Sequence, residues 1–240
     1  MSDSLLAADA NRRMFDRLAA RYDLLNALLS LGLHRGWRRR AVEALAPREG
    51  EHFLDIGCGT GDVALEILRR EPGCRVTGLD PASQMLAIAA HKSVRAGVGE
   101  RLRLVTGDAS ALPFADGAFD GITSAFALRS FVDRDRAFRE MRRVLAPGGR
   151  AALLELTVPV NPLLRVGYWL HTRGLGMLFA LLVCGEVGPY RFLLRSVDGF
   201  PPPEGILGEL AAAGFAEARF RRLSAGVITL YIGGAASAAK

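Results

Sequence analysis

The ten residues Phe53-Leu-Asp-Ile-Gly-Cys-Gly-Thr-Gly-Asp62 read as a ligand-binding turn: a short apolar strand enters three alternating glycines, Gly57, Gly59 and Gly61, and leaves into a helix. Glycine lets a ligand approach the backbone where a Cβ would collide, and the helix that follows offers unpaired amides. The spacing is GxGxG rather than the GxGxxG of a dinucleotide fingerprint, and an acid, Asp55, sits inside the strand. Asp55 can accept from an ammonium or order the turn. Either role suits an amino-acid-bearing ligand better than a pyrophosphate. Asp80 closes the next apolar run 19 residues beyond Gly61, where a carboxylate can take both hydroxyls of a ribose. A third acid, Asp108, ends the following run beside Ala109; its carboxylate can accept from an exocyclic amine while the adjacent amide donates to a ring nitrogen. Together the three units describe a site for an adenosine carrying an amino-acid arm.

Such a site needs elements that bring the three acids to one edge. Strand-like runs at 53–56, 75–79, 102–105, 119–124 and 150–156 alternate with helical stretches at 63–70, 83–90 and 134–145, which predicts a parallel sheet with helices on both faces and binding at the carboxyl ends of its strands. Residues 215–223 and 227–232, joined through Ser224-Ala225-Gly226, predict a closing antiparallel hairpin. Before the sheet, residues 12–46 carry apolar positions three or four apart and read as an N-terminal helical segment. Between the fifth strand and the hairpin, residues 157–200 form a hydrophobic, mostly helical insertion, placed to act as a substrate lid. Length and hydrophobic content fit a single domain over 1–240.

Composition narrows the classes. Lys plus Arg number 31 against 25 for Asp plus Glu, giving a formal charge of +6, and the only lysines are Lys92 and Lys240. Such an excess fits an anionic partner or an arginine-rich composition equally well. Cys58, Cys74 and Cys184 lack CxxC spacing, so neither a disulfide framework nor a zinc site is expected, and no other metal site is called. The N-terminal residues lack a secretory pattern, which points to the cytoplasm. The charge-free stretch Leu175–Cys184 is half of what a bilayer span needs, so a buried or interfacial helix is expected there. There is no stacking platform interleaved with basic residues, and nucleic acid is not an expected partner. His34, among Arg35, Arg38, Arg39 and Arg40, reads as a helix-end or surface residue; His52 and His91 read as solvated.

The glycine turn with its three acids resembles the class I S-adenosylmethionine-dependent methyltransferases. The segments MFDRLAARYDLLNALLSLGLHRGWRR, GLDPASQML, GDASALPFADGAFDGITSAFALRS, REMRRVLAPGGR and YRFLLRS look like the ubiquinone/menaquinone-biosynthesis C-methyltransferase family, UbiE, from about Met14 to Gly233. The resemblance implies a Rossmann-like α/β fold with a seven-stranded, mostly parallel sheet. It also implies S-adenosyl-L-methionine as cofactor and a polyprenyl quinol, most often demethylmenaquinol, as the methyl acceptor. Cofactor contacts carried over fall on Thr60, Asp80, Asp108 and Ala109, joined by Asp55, Gly57 and Gly59 from the turn. The family's serine in the fourth strand is Ala125 here, with Ser124 adjacent. The family's FGLRN reads Phe126-Ala-Leu-Arg-Ser130, and its closing LHxG reads Leu230-Tyr-Ile-Gly233. These departures keep open another quinone or aromatic acceptor, or a non-catalytic scaffold in a quinone-synthesis complex.

Methylation of a ring carbon is helped by ionising the quinol and by a base for the proton that the ring finally loses. Arg129 is the leading candidate to orient a water or stabilise the oxygen, with Tyr22, Asp23 and Tyr190 next; Arg129 could instead pair with Asp133 or Asp135. His171 could meet the substrate or be satisfied structure. The arginine run is a solvated face, or else a contact for anionic headgroups at the inner face of the membrane while the insertion takes the isoprenoid tail. A homodimer is a further arrangement the family resemblance allows.

Overall fold

The computed structural model describes residues 3–185 and 187–236. Its centre is a seven-stranded sheet in the order β3-β2-β1-β4-β5-β7-β6, made of β1 (His52–Ile56), β2 (Arg75–Asp80), β3 (Leu102–Thr106), β4 (Phe119–Ala125), β5 (Leu145–Leu156), β6 (Ala216–Leu223) and β7 (Ile228–Gly234). The first five run parallel, and β7 lies antiparallel between β5 and β6. This is the expected mostly parallel sheet with its closing hairpin. The order reverses between β1 and β4, the place where open α/β sheets leave a crevice beyond their carboxyl ends.

Burial explains the strands. In β1 the four residues Phe53 to Ile56 are all buried, as required of a parallel strand covered on both faces. One face packs under α5 (Arg134–Val144) and α9 (Pro203–Ala212) through Phe138, Met141, Ile206 and Leu210. The other packs under α2 (His34–Leu45) and α3 (Asp62–Arg70) through Val42, Leu45, Ile67 and Leu68. A small third cluster, Ala19, Ala82 and Met85 with Phe15 and Tyr22 against it, seats α1 (Asp3–Leu29) on α4 (Ser83–Arg95).

Three boundaries differ from the sequence reading. The segment 12–46 is two helices, α1 and α2, because Leu31 and Gly32 take positive φ values of 50° and 78°. Helix α4 runs five residues past Ala90, carried by a buried stripe of Met85, Leu86, Ala89 and Ser93. Pro147-Gly148-Gly149 does not precede the fifth strand but lies inside it: Phe119 pairs with Leu145 and Gly121 with Arg150, so residues 146–149 bulge out of register.

The insertion is helical as expected. It comprises α6 (Pro162–Leu170), a wide π turn at His171–Leu175, α7 (Gly176–Cys184) and α8 (Gly188–Asp198). Asn161 caps α6, its Oδ1 accepting from Leu163 N at 2.9 Å and Leu164 N at 3.3 Å. The helical run Pro162–Val183 is longer than the charge-free stretch alone suggested. By length and composition it could cross a membrane. Helix α7 packs against α1, so the insertion closes over the edge where the glycine turn lies.

Candidate active site

Two cavities meet beyond the carboxyl ends of β1 and β4. The first, about 260 Å³, is bordered by Gly57, Gly59, Asp80, Asp108, Ala109 and Ser130 among others. All three glycines of the turn have positive φ, +66° at Gly57, +52° at Gly59 and +82° at Gly61. A Cβ on Gly57 would lie 2.5 Å from Ala127 Cβ, so the loops after β1 and β4 touch only because this residue is glycine. At Gly59 the space where a Cβ would stand is open. Asp80 binds the turn as well as facing the cavity: Oδ2 accepts from Gly59 N at 2.9 Å and Oδ1 from Ala82 N at 2.8 Å. Each oxygen keeps a lone pair for a hydroxyl. Asp108 is exposed at the rim, its Oδ1 accepting from Ser110 N at 2.7 Å and Ser110 Oγ at 2.5 Å. The Ser130 hydroxyl is buried with no partner among the described residues. An open glycine turn, two carboxylates and an unmatched hydroxyl around one cavity fit a cationic adenosyl ligand.

Three predicted site residues lie elsewhere. Asp55 is 1% exposed beneath the turn, borders neither cavity, and accepts from Ala64 N at 3.2 Å through Oδ2. It pins the start of α3, the second of its two sequence readings. Burial pushes its carboxyl up to about 7. Thr60 and Asp23 border neither cavity either. Thr60 Oγ1 donates to Asp23 Oδ1 at 2.7 Å, and Lys92 Nζ reaches Asp23 Oδ2 at 2.5 Å, Asp62 Oδ1 at 2.7 Å and Thr60 Oγ1 at 2.9 Å. Arg38 Nη1 completes the cluster on Asp62 Oδ2 at 2.5 Å. The attraction of Arg38 and Lys92 outweighs burial and holds the Asp62 carboxyl below its usual range. Lys92, Asp62 and Arg38 were not picked out as site residues. The signal available was Lys92 itself, one of two lysines in an arginine-rich chain.

The second cavity, about 430 Å³ and mainly apolar, lies between α1, α2, the loop after β4 and the helical insertion. Phe15, Tyr22 and Phe126 border both cavities and form the partition. Arg129 borders this second cavity, but its partner is Glu155 at the end of β5 rather than Asp133 or Asp135. Arg129 Nη1 donates to Glu155 Oε1 at 2.5 Å and to Phe126 O at 2.6 Å, and Arg129 N donates to Glu155 Oε2 at 3.1 Å. Glu155 is wholly buried, so removing either partner would strand a charge. Tyr190 lines the same cavity with its hydroxyl donating to Thr172 O at 2.7 Å, and burial raises its pKa. A Cβ on Gly176 would lie 1.9 Å from that hydroxyl, so Tyr190 packs directly on the backbone at the start of α7.

The histidines depart from the sequence reading. His34 does open α2, one of its two readings, but it is buried and borders the apolar cavity. His171 borders it too, with Nε2 donating to Leu29 O at 2.9 Å. His52 is half-buried, its Nε2 2.9 Å from Thr77 Oγ1 and its ring 4.7 Å from Phe119. His91 is exposed as expected.

Comparison with known proteins gives this geometry its relatives. Residues 6–235 match the model of the ubiE/COQ5 methyltransferase family. The chain belongs to this family. It is a methyltransferase, and its methyl donor is S-adenosylmethionine. The chain is 43% identical to the demethylmenaquinone methyltransferase of Thermus thermophilus, over 92% of this chain and 99% of that one. It is 39% identical to the ubiquinone/menaquinone biosynthesis C-methyltransferase UbiE of Paracoccus denitrificans, over 92% and 88%. Among solved structures it is similar in fold to the [4+2]-cyclase SpnF, with a TM-score of 0.72 and 19% identity over 96% of this chain and 97% of that one. A putative S-adenosyl-L-methionine-dependent methyltransferase of Methanococcus maripaludis gives 0.66 and 18% over 94% and 95%.

The family departures now have places. Ala125 borders the donor cavity while Ser124 is fully buried on the other side of β4, so strand alternation denies the neighbouring serine that contact. Ser130, where the family has asparagine, borders the donor cavity. Tyr231 is sealed in the core near Phe220, 6.4 Å between rings, and borders neither cavity. The histidine-to-tyrosine departure therefore falls on packing.

Two predictions follow from these clusters. Lys92→Met removes three charge-assisted bonds between α1, α4 and the glycine turn. Because the groups are partly exposed, the expected cost is about 1 to 2 kcal/mol, read by urea denaturation, with faster tryptic cleavage of α1 at Arg12, Arg13 and Arg17. Asp55 has a folded pKa raised above its unfolded value, so its burial costs nothing while both states are protonated. Stability then falls as pH rises from about 4 to about 7, where the unfolded chain ionises first. Asp55→Asn should remove that contribution and leave the variant less sensitive to pH across this window, measured as unfolding free energy against pH.

Proposed function

We propose that this chain transfers the methyl group of S-adenosylmethionine to a ring carbon of a polyprenylated quinol, with demethylmenaquinol as the acceptor. The observation that carries the reading is the pair of cavities meeting at Phe15, Tyr22 and Phe126, one smaller and bordered by Asp80 and Asp108, the other larger and mainly apolar. An adenosyl group with an amino-acid arm suits the first, and a bicyclic ring with an isoprenoid tail suits the second. The printed names of the relatives from Thermus thermophilus and Deinococcus radiodurans, both demethylmenaquinone methyltransferases, support the acceptor.

In this reading Asp80 takes the ribose hydroxyls, and Asp108 with the Ala109 amide takes the adenine edge. Gly57 and Gly59 admit the ligand to the backbone, and Ser130 supplies a hydroxyl. Thr60, Asp55 and Asp23 act one step back, fixing the turn and α1. The bound donor supplies a methyl group on a positively charged sulfur. Most of the acceleration comes from holding the ring carbon in line with it, which the rigid partition favours. Arg129, paired with Glu155, keeps the loop after β4 in place, and its Nε–H, without a partner among the described residues, is a donor for an ionised ring oxygen. Tyr22 borders both cavities and orients the ring; Tyr190 fixes the lid.

Residues 157–200 serve as that lid, and the enzyme works in the cytoplasm at a membrane surface. Leu163, Val166, Leu170, Leu178, Leu181 and Leu182 are exposed along the insertion, and Leu31 and Leu33 are exposed beside them at the cavity wall. Arginines at 35, 39 and 40 on α2 are also exposed. An apolar rim flanked by cations is how an interfacial protein meets an anionic bilayer.

Purified protein should bind S-adenosylmethionine in a calorimeter and methylate a short-chain demethylmenaquinol on carbon, read by mass spectrometry. Asp80→Ala should weaken donor binding at least tenfold and abolish turnover; binding with turnover only on unrelated soluble acceptors would overturn the acceptor. In sedimentation with vesicles, those containing phosphatidylglycerol should retain the protein better than neutral ones, and the triple change Leu163→Ser, Leu170→Ser, Leu182→Ser should release it. Equal recovery with and without vesicles would reject the membrane surface.

A further inference from the structure

The proposed reaction needs a group that takes the proton of the ring hydroxyl, and most residues around the apolar cavity are unable to do so. Arg129 has no lone pair and is bound to Glu155. The Tyr190 hydroxyl is committed to Thr172 O. Asp23 lies outside the cavity, held by Lys92 and Thr60. The imidazoles on this cavity, neutral bases with a ring lone pair, are His34 and His171.

The hydrogen bonds around Ser30 favour one protonation state of His34. Ser30 Oγ donates to Asn26 O at 2.7 Å, and a hydroxyl has one proton to give. With the hydroxyl proton on Asn26 O, the 2.7 Å contact between Ser30 Oγ and His34 Nδ1 is donated by the ring, Nδ1–H to oxygen. In the neutral imidazole this leaves the lone pair on Nε2. No described residue occupies Nε2, and His34 borders the apolar cavity. Its surroundings favour the neutral form. Burial and the charges of Arg38 and Arg35 on α2 lower its pKa from the usual value, against a smaller upward pull from Asp62 on α3 and Asp23 on α1. The other titratable groups on this cavity are Arg129, His171 and Tyr168 beside Tyr22 and Tyr190.

Position separates the two histidines. His34 is three residues from Trp37 and four from Arg38, whose side chains lie against the partition: the Trp37 ring is 6.3 Å from that of Phe126, and the Arg38 guanidinium is 5.9 Å from it. His171 hangs from the lid, tied to Leu29 O. We infer that His34 Nε2 is the general base that accepts the proton of the acceptor's ring hydroxyl, on the strength of the Ser30–His34 bond and its place beside the partition. This rests on the function proposed above.

The proton passes from oxygen to Nε2, and the O–H electron pair moves into the ring. The ring carbon takes the methyl group, the electrons of the broken C–S bond staying on sulfur. That carbon then loses its hydrogen to water as the ring regains aromaticity, and the imidazolium returns its proton to the oxygen. One proton in total leaves to solvent.

Two measurements test this. In ¹⁵N-histidine spectra of the cofactor-free wild type at pH 7.5, His34, assigned by its loss in His34→Asn, should show a protonated Nδ1 and an unprotonated Nε2. In turnover, His34→Asn keeps a donor for Ser30 but lacks the base. Its kcat should fall about a hundredfold or more while KM stays within about threefold, and the acid limb of the wild-type pH profile should disappear. Imidazole should restore His34→Ala in proportion to its free base, and His171→Asn should lose less than His34→Asn. A protonated Nε2 in the wild type, or a His34→Asn kcat above one-tenth of wild type, overturns the assignment. A wild type that binds donor but does not methylate the quinol refutes the function instead, and the spectra still decide the state of His34.

Discussion

Lys92 holds the site together. An ammonium has three protons, and here each has an oxygen within 2.9 Å, from Asp23, Asp62 and Thr60. Arg38 adds a second cation on Asp62, so two acids and two bases form a neutral cluster. It joins α1 to the glycine turn, α2, α3 and α4, which the sheet already holds. Helix α1 contributes no strand and little core, yet its Phe15 and Tyr22 face both cavities. Without the cluster α1 would be held by the patch around Ala19 and Met85 and by α7, with no tie to the glycine turn beside the partition.

The sheet by itself says little about chemistry. A cyclase gives a TM-score of 0.72 to this chain at 19% identity, so the architecture is shared by proteins whose names record different reactions. The sheet is supplemented at two places, by the N-terminal helices before β1 and by the insertion after β5. Both lie over the same edge. The smaller cavity is bordered mainly by the loops of the sheet, the apolar cavity largely by these helices.

Much of the fold was legible because burial imposes period and punctuation. All seven strands fall where apolar runs between turn residues put them, and the hairpin lies around Ser224 to Gly226. Boundaries slipped where local conformation overrode the pattern: a leucine in the left-handed region at position 31, and a Pro-Gly-Gly bulge inside a strand rather than before it. The site was legible in its parts. Gly57, Gly59, Asp80, Asp108 and Ala109 do gather around one cavity, since each follows a parallel strand. Thr60 and Asp23 were misplaced because spacing locates a backbone but not the direction of a side chain. Arg129 was paired with nearby acids in sequence, whereas its partner lies 26 residues on, on the neighbouring strand. His34 read as a helix-end or surface residue; it does open α2, but it is buried while its neighbours Arg35, Arg39 and Arg40 are exposed, a difference that the sequence does not carry.

The π turn at His171–Leu175 sets the phase of the lid. Leu164, Tyr168 and Thr172 border the cavity, and Gly176 and Ala180, continuing at intervals of four, are the buried positions of α7. A repeat of four outruns the 3.6 residues of an α-helical turn, so an uninterrupted helix would carry the stripe steadily round its axis. One wider turn takes up part of that drift. It works like a leap day in a calendar: one extra unit keeps a slightly wrong period aligned over a longer span. The length of the lid is thus counted in residues as well as in ångströms.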